Sequence, residues 1–256
     1  MAINLEKSAE KLKISLEKKG LAILPPLDVV YIEDVSGSYR PQHNDGSTGI
    51  LLSRMVPWAM VFDQDKKMDL FTFSNGNDNA VYVGEVTPDN HEGYLKKYVI
   101  DKVDGWGGCT DYSYVIRKTL VHLGWIADAK AHKTKKDSGL FGGLFGKKTK
   151  DEPTPGVTPT AKRKGIVLFN TDGANSDETA TECLLQEMQD KGYCVYLLFL
   201  AFKNQGANFK FISRMADKFD NCGLCVIIDL KKFIEKTDEE LNEELVTQEL
   251  VDWLKK

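Results

Sequence analysis

The chain reads as an α/β fold with a mostly parallel central sheet and helices on both faces. Two observations predict it. Short β-branched and aromatic runs alternate with helical patterns along most of the 256 residues. The run at residues 27–33 is almost continuously apolar, as expected of a strand buried on both faces.

Leu5, Ala9, Leu12 and Leu16 form one apolar stripe, which predicts a helix over 4–19 with Ile14 off the stripe. Pro25-Pro26 ends it. The strand at 27–33 runs into Asp34-Val35-Ser36-Gly37-Ser38. Residues 50–61 predict a helix that Pro57 must kink or restart. Residues 69–73 predict a second strand, and 81–83 a short extended piece near an edge. Thr87-Pro88 offers a cap and a first-turn proline for a helix reaching about Ile100. The glycine-rich loop Gly105 to Asp111 leads into a helix ending near Gly124. Strands are then expected at 165–171, 193–202 and 224–230, with helices at 177–191, 208–219 and 239–255.

The composition breaks at about 127–164. From Lys130 to Lys164 there are ten Lys/Arg against three Asp/Glu, a net +7 in a chain that totals −4. Gly139-Leu140-Phe141-Gly142 is repeated at once as Gly143-Leu144-Phe145-Gly146, and Pro153, Pro155 and Pro159 follow. This density of Gly, Pro, Lys and Thr predicts a flexible basic insertion in one domain spanning 27–256, behind an N-terminal helical extension at 1–26.

The overall negative charge gives no reason to expect nucleic-acid binding, except through the basic insertion. No apolar run approaches the roughly 18 residues of a membrane span, and the Lys/Glu-rich opening does not read as a secretory signal. Five cysteines without a repeating framework predict free thiols and a cytoplasmic protein. Cys222-x-x-Cys225 lacks the further ligands of a zinc site, and Cys225 falls in an apolar strand, so packing is the expected role. His43, His91, His122 and His132 are scattered, with no Ser-His-Asp order.

In open α/β sheets, ligands bind outside the carboxyl ends of the strands. Asp34, Ser36 and Ser38 follow the first strand, Thr110 lies in the glycine-rich loop, and Asp172 follows the 165–171 strand. Oxygen donors of this kind suit hard divalent cations. In order, they form Asp-x-Ser-Gly-Ser, Thr-Asp and Thr-Asp-Gly, a pattern that resembles the metal-ion-dependent adhesion site (MIDAS) of the von Willebrand factor A (vWA) family. The resemblance covers residues 27–254 without the insertion and implies a Rossmann-like vWA fold. Within the family, residues 53–63, 68–73 and 106–112 look most like the bacterial, TerF-like tellurium-resistance branch. Ile3-Asn4-Leu5-Glu6-Lys7 and Ile14-Ser15-Leu16-Glu17-Lys18 are similar to the openings of Ter-type domains, although 26 residues cannot hold a full TerD-like domain.

The resemblance implies that Ser36, Ser38 and Thr110 bind the ion directly, and that Asp34 and Asp172 act mostly through water. The ion expected is Mg²⁺, with Mn²⁺ or Ca²⁺ as alternatives, and an acidic side chain of a protein partner fills the remaining position. It further implies a non-enzymatic interaction module in tellurite resistance or a related stress or phage-defence response. A metal-dependent hydrolase is the alternative, but the residues supply no recognisable base or nucleophile pair. Three positions depart from the pattern: Glu33 stands where an apolar residue is usual, Cys109 where Gly is frequent, and Tyr39 where Met or a similar residue is common. Asp111 is expected either to support the site or to cap the helix after it.

Overall fold

The computed structural model describes residues 3–127, 161–172, 175–203 and 209–256. Six strands form one sheet: β1 (Asp28–Asp34), β2 (Met68–Phe73), β3 (Val81–Val86), β4 (Gly165–Thr171), β5 (Val195–Phe202) and β6 (Cys222–Ile227). Their spatial order is β3-β2-β1-β4-β5-β6. Only β3, at one edge, is antiparallel to its neighbour. The mostly parallel α/β architecture expected from the sequence is therefore present.

Successive residues of β1 enter two different cores. Val29 and Tyr31 join one, and Val30 and Ile32 join the other. A strand covered on both faces has no polar side to display, which explains its continuous apolarity. The first core is closed by α1 (Leu5–Lys18), α3 (Ser47–Phe62), α9 (Asp238–Leu245) and α10 (Gln248–Leu254). The second is closed by α5 (Tyr112–His122), α6 (Glu178–Asp190) and α7 (Lys210–Lys218). Leu12 and Leu16 are fully buried, while Ile14 stays exposed as its place off the stripe requires. Ser8 donates from α1 to Asp238 across 2.8 Å, fixing this helix against the start of α9.

Pro57 neither ends nor restarts α3, which runs through it. Burial of most of this helix between the sheet and α1 outweighs the one backbone hydrogen bond that proline removes. Three boundaries differ from expectation. No helix starts at Thr87; the chain turns there, with Asn90 accepting from the Thr87 N–H at 2.8 Å. The helix α4 (Tyr94–Tyr98) begins only after Gly93, whose φ of 67° is left-handed. The strand expected at 224–230 sits earlier, since Asp229 caps a further helix, α8 (Leu230–Glu235), by accepting from the Lys232 N–H. The closing helix is two helices: Thr247 accepts from the Leu250 N–H and starts α10 as a new N-cap. A capping box between Thr237 and Glu240 opens α9.

The +7 segment, its doubled tetrapeptide and His132 lie almost wholly outside the described residues. Its two flanks are joined. Arg163 N–H donates to the Leu123 carbonyl at 3.0 Å, and Trp125 Nε1 donates to the Arg163 carbonyl at 2.8 Å. Cys222 and Cys225 are buried free thiols, and burial pushes Cys225 up to about 12, so both serve packing.

Candidate metal centre

Strand order reverses beside β1. From it the chain builds outward to β2 and β3, then returns to the other side for β4, β5 and β6. In open α/β sheets such a reversal between adjacent strands is where ligands bind, at the carboxyl ends. Asp34 ends β1, and Asp172 directly follows β4.

The first loop folds back on its own acid. Asp34 Oδ1 accepts from the Ser36 N–H at 2.8 Å. Ser36 Oγ lies 3.2 Å from Ser38 Oγ, and Ser38 Oγ donates to Asp172 Oδ1 at 2.9 Å. Four of the five candidate donors thus form one continuous chain of contacts. Asp34, Ser36 and Asp172 are buried, whereas Ser38 is exposed at the rim. The glycine-rich loop docks on this turn: the Gly37 N–H donates to the Gly108 carbonyl at 2.9 Å, and the Gly107 N–H to the Val35 carbonyl at 2.7 Å. Gly108 must be glycine, because a Cβ there would lie 2.5 Å from Asn75 Oδ1. Thr110 follows this seam, is buried, and accepts from the Ser176 N–H through its carbonyl at 2.8 Å. All five residues therefore come to the same edge, with Thr110 carried there by the loop.

Asp111 does not cap the helix after it. Its Oδ2 accepts from the Gly76 N–H at 2.8 Å, and it makes no side-chain cap on α5. That helix start is served by Asp177, whose two oxygens accept from the Tyr112 and Ser113 N–H groups at 2.9 and 3.1 Å.

Sequence reasoning missed two further parts of the site. Thr171 Oγ1 donates to Asp34 Oδ2 at 2.8 Å and lies 3.1 Å from the Tyr112 hydroxyl. On the opposite face of β1, Glu33 is fully buried. Asn170 Nδ2 donates to its Oε2 at 2.6 Å, and Tyr39 donates to Asn170 Oδ1 at 3.0 Å. His43 sits 2.8 Å from the Asp34 carbonyl through Nε2 and 3.0 Å from Thr48 Oγ1 through Nδ1. A signal for the second cluster was present: Glu33 and Asn170 are direct partners across β1 and β4, polar residues within apolar runs.

Burial pushes the Glu33 carboxyl well above its usual range. Burial also lowers His43 to about 4, so it is a neutral imidazole. Asp34 is pushed up to about 7, first by burial and then by the charge of Asp172. Two buried carboxylates are therefore set close together, linked through the hydroxyls of Ser36 and Ser38. A divalent cation would relieve that repulsion, so the donor set fits one. Among the described residues no group of three or more His, Cys, Asp or Glu forms a metal cluster. A donor set with two carboxylates and three hydroxyls does not require one.

Residues 27–132 match the family model described as the vWA domain found in the TerF C terminus. The match supports a vWA-type domain and includes Asp34, Ser36, Ser38 and Thr110, while Asp172 lies beyond it. Two solved structures of proximal thread matrix protein 1 from the mussel byssus are similar to the chain. Crystal form 2 is 14% identical over 88% of this chain and 48% of that one, with a TM-score of 0.49. The other is 13% identical over 86% and 47%, with a TM-score of 0.47. The chain thus spans about half the length of these structures. No curated protein matches it. No described helix is long and apolar enough to cross a membrane.

Proposed function

We propose that this chain is a metal-dependent protein-interaction module of the vWA type, TerF-like, acting in tellurite resistance or a related stress or phage-defence response. The observation that carries the reading is the unbroken run of contacts from Asp34 through Ser36 and Ser38 to Asp172 at the sheet's switch point. In it, Ser36, Ser38 and Thr110 would hold Mg²⁺ directly, and Asp34 and Asp172 would hold it mostly through water. The ion would supply a Lewis-acidic position for a carboxylate of the partner. Neutral hydroxyl ligands leave it electrophilic enough to attract that group. His43 is engaged at both ring nitrogens, which supports binding over a hydrolytic role for this residue. The five free cysteines support a cytoplasmic setting.

Affinity capture from the native cell tests the proposal. The expected outcome is a partner retained by the wild type with Mg²⁺ and lost with chelator or with Asp34→Ala. A partner retained under all three conditions would contradict it.

A further inference from the structure

Arg40 stands beside the candidate metal centre, two residues after Ser38, on the side facing solvent. Its guanidinium lies 5.7 Å from the centre of the Trp106 ring. Trp106 is packed against the core and sits 5.0 Å from the His43 ring, which itself bonds the Asp34 carbonyl. Arg40 therefore rests on a shelf built from the same residues that fix the metal loop. Among the described residues its guanidinium has no ion pair and no hydrogen bond. An exposed arginine on a fixed aromatic surface keeps its N–H donors available while losing little conformational freedom on binding.

Two exposed glycines, Gly37 and Gly107, stand between Arg40 and the donors. A Cβ on Gly107 would lie 3.1 Å from Arg40 Cζ, and a Cβ on Gly37 would lie 3.1 Å from the Gly107 carbonyl. Gly107 also has φ of 81°, a left-handed conformation that favours glycine. Arg40, Gly107, Gly37 and the two serines flanking Gly37 are thus contiguous, and a peptide can cross the glycines from one cationic position to the other.

We propose that Arg40 is the second anchor of the partner surface. It takes a second carboxylate of an acidic peptide whose first carboxylate goes to the metal. This rests on the metal-carboxylate reading above. The planar fork of arginine matches a carboxylate through two parallel N–H···O bonds, which lysine cannot reproduce. The partner class is therefore a segment with two nearby acidic residues rather than one.

The test uses the full chain with Mg²⁺ and glycine-based peptides carrying one aspartate, or two aspartates separated by zero, one or two glycines. Binding is compared for wild type, Arg40→Lys and Arg40→Ala, and Mg²⁺ affinity is measured on each by calorimetry. The expected result is that at least one spacing binds wild type more than about tenfold tighter than the single-aspartate peptide. Arg40→Ala brings that peptide down to the single-aspartate level, Arg40→Lys restores only part, and Mg²⁺ affinity is unchanged throughout. Equal binding of one- and two-aspartate peptides to wild type overturns the inference and leaves the metal reading standing. So does a preference that survives Arg40→Ala. If no peptide binds the Mg²⁺-loaded wild type, the metal-carboxylate reading fails and this inference fails with it.

Discussion

The two ends of β1 carry acids in opposite circumstances. At the amino end, Asp28 is paired with Arg163, and the neighbouring Asp69 lies 2.8 Å from His122 Nε2 and accepts from Tyr82 at 2.9 Å. Burial pushes Asp69 up, but the hydrogen bond and charge of His122 outweigh it, and the carboxyl ends below its ordinary value. At the carboxyl end, Asp34 faces Asp172 and is held by hydroxyl and amide donors, which do not neutralise it. The protein supplies its own cation at one end. At the other, hydroxyl and amide donors hold Asp34 in place, and in the proposed reading a bound ion would meet its charge. In that reading the contrast separates a structural acid from a metal-binding one.

The largest effect expected concerns metal. Asp34→Asn should weaken Mg²⁺ binding by at least about 100-fold by calorimetry, since groups that hold an ion through its ligands commonly change affinity by about 10–100-fold and this one is also a charge. Asp69→Asn should leave Mg²⁺ affinity unchanged, because that acid lies at the amino end of the sheet, away from the candidate donors, and is already held by His122 and Tyr82.

Asn170→Ala should cost about 2–3 kcal/mol in denaturant unfolding, since it strands both Glu33 and the Tyr39 hydroxyl in the core. Removing the His122 contact with His122→Ala should cost less, about 1–2 kcal/mol, because that pair is partly exposed.

The metal-free protein should also show a distinctive pH response. Asp34 holds its proton more tightly folded than unfolded, moving from an ordinary 3.8 to about 7. Its penalty is absent below about pH 4, grows as pH rises to about 7, and is constant above. Stability of the metal-free wild type should therefore fall over that window, and Asp34→Asn should flatten that part of the curve. Mg²⁺ binding should release a proton below about pH 7 and none well above it. The smallest effect is Glu239→Gln at the exposed contact with Lys11, expected within about 0.5 kcal/mol.

Much of this was legible because it is local. The apolar run ending at Asp34 announces a buried strand that stops at a polar loop, and its partners at Thr110 and Asp172 lie at equivalent loop positions. What was not legible depends on pairing or competition between caps. Thr171 becomes a partner of Asp34 only once β4 is laid beside β1. Asp177 caps α5 from a distant loop, leaving Asp111 for another task. Thr247 can sit inside a helix or start one, and here the second choice splits the closing helix.

Thermal unfolding with and without Mg²⁺, on wild type, Asp34→Asn, Asp172→Asn and Asp69→Asn, tests the contrast directly. At about 100 times its Kd, a ligand specific to the folded state adds about 2.7 kcal/mol. The wild type and Asp69→Asn should show that rise, with Asp69→Asn starting from a lower Tm, and the other two should gain no more than about 0.4 kcal/mol. A rise that persists in Asp34→Asn, or one that disappears only in Asp69→Asn, would contradict the account.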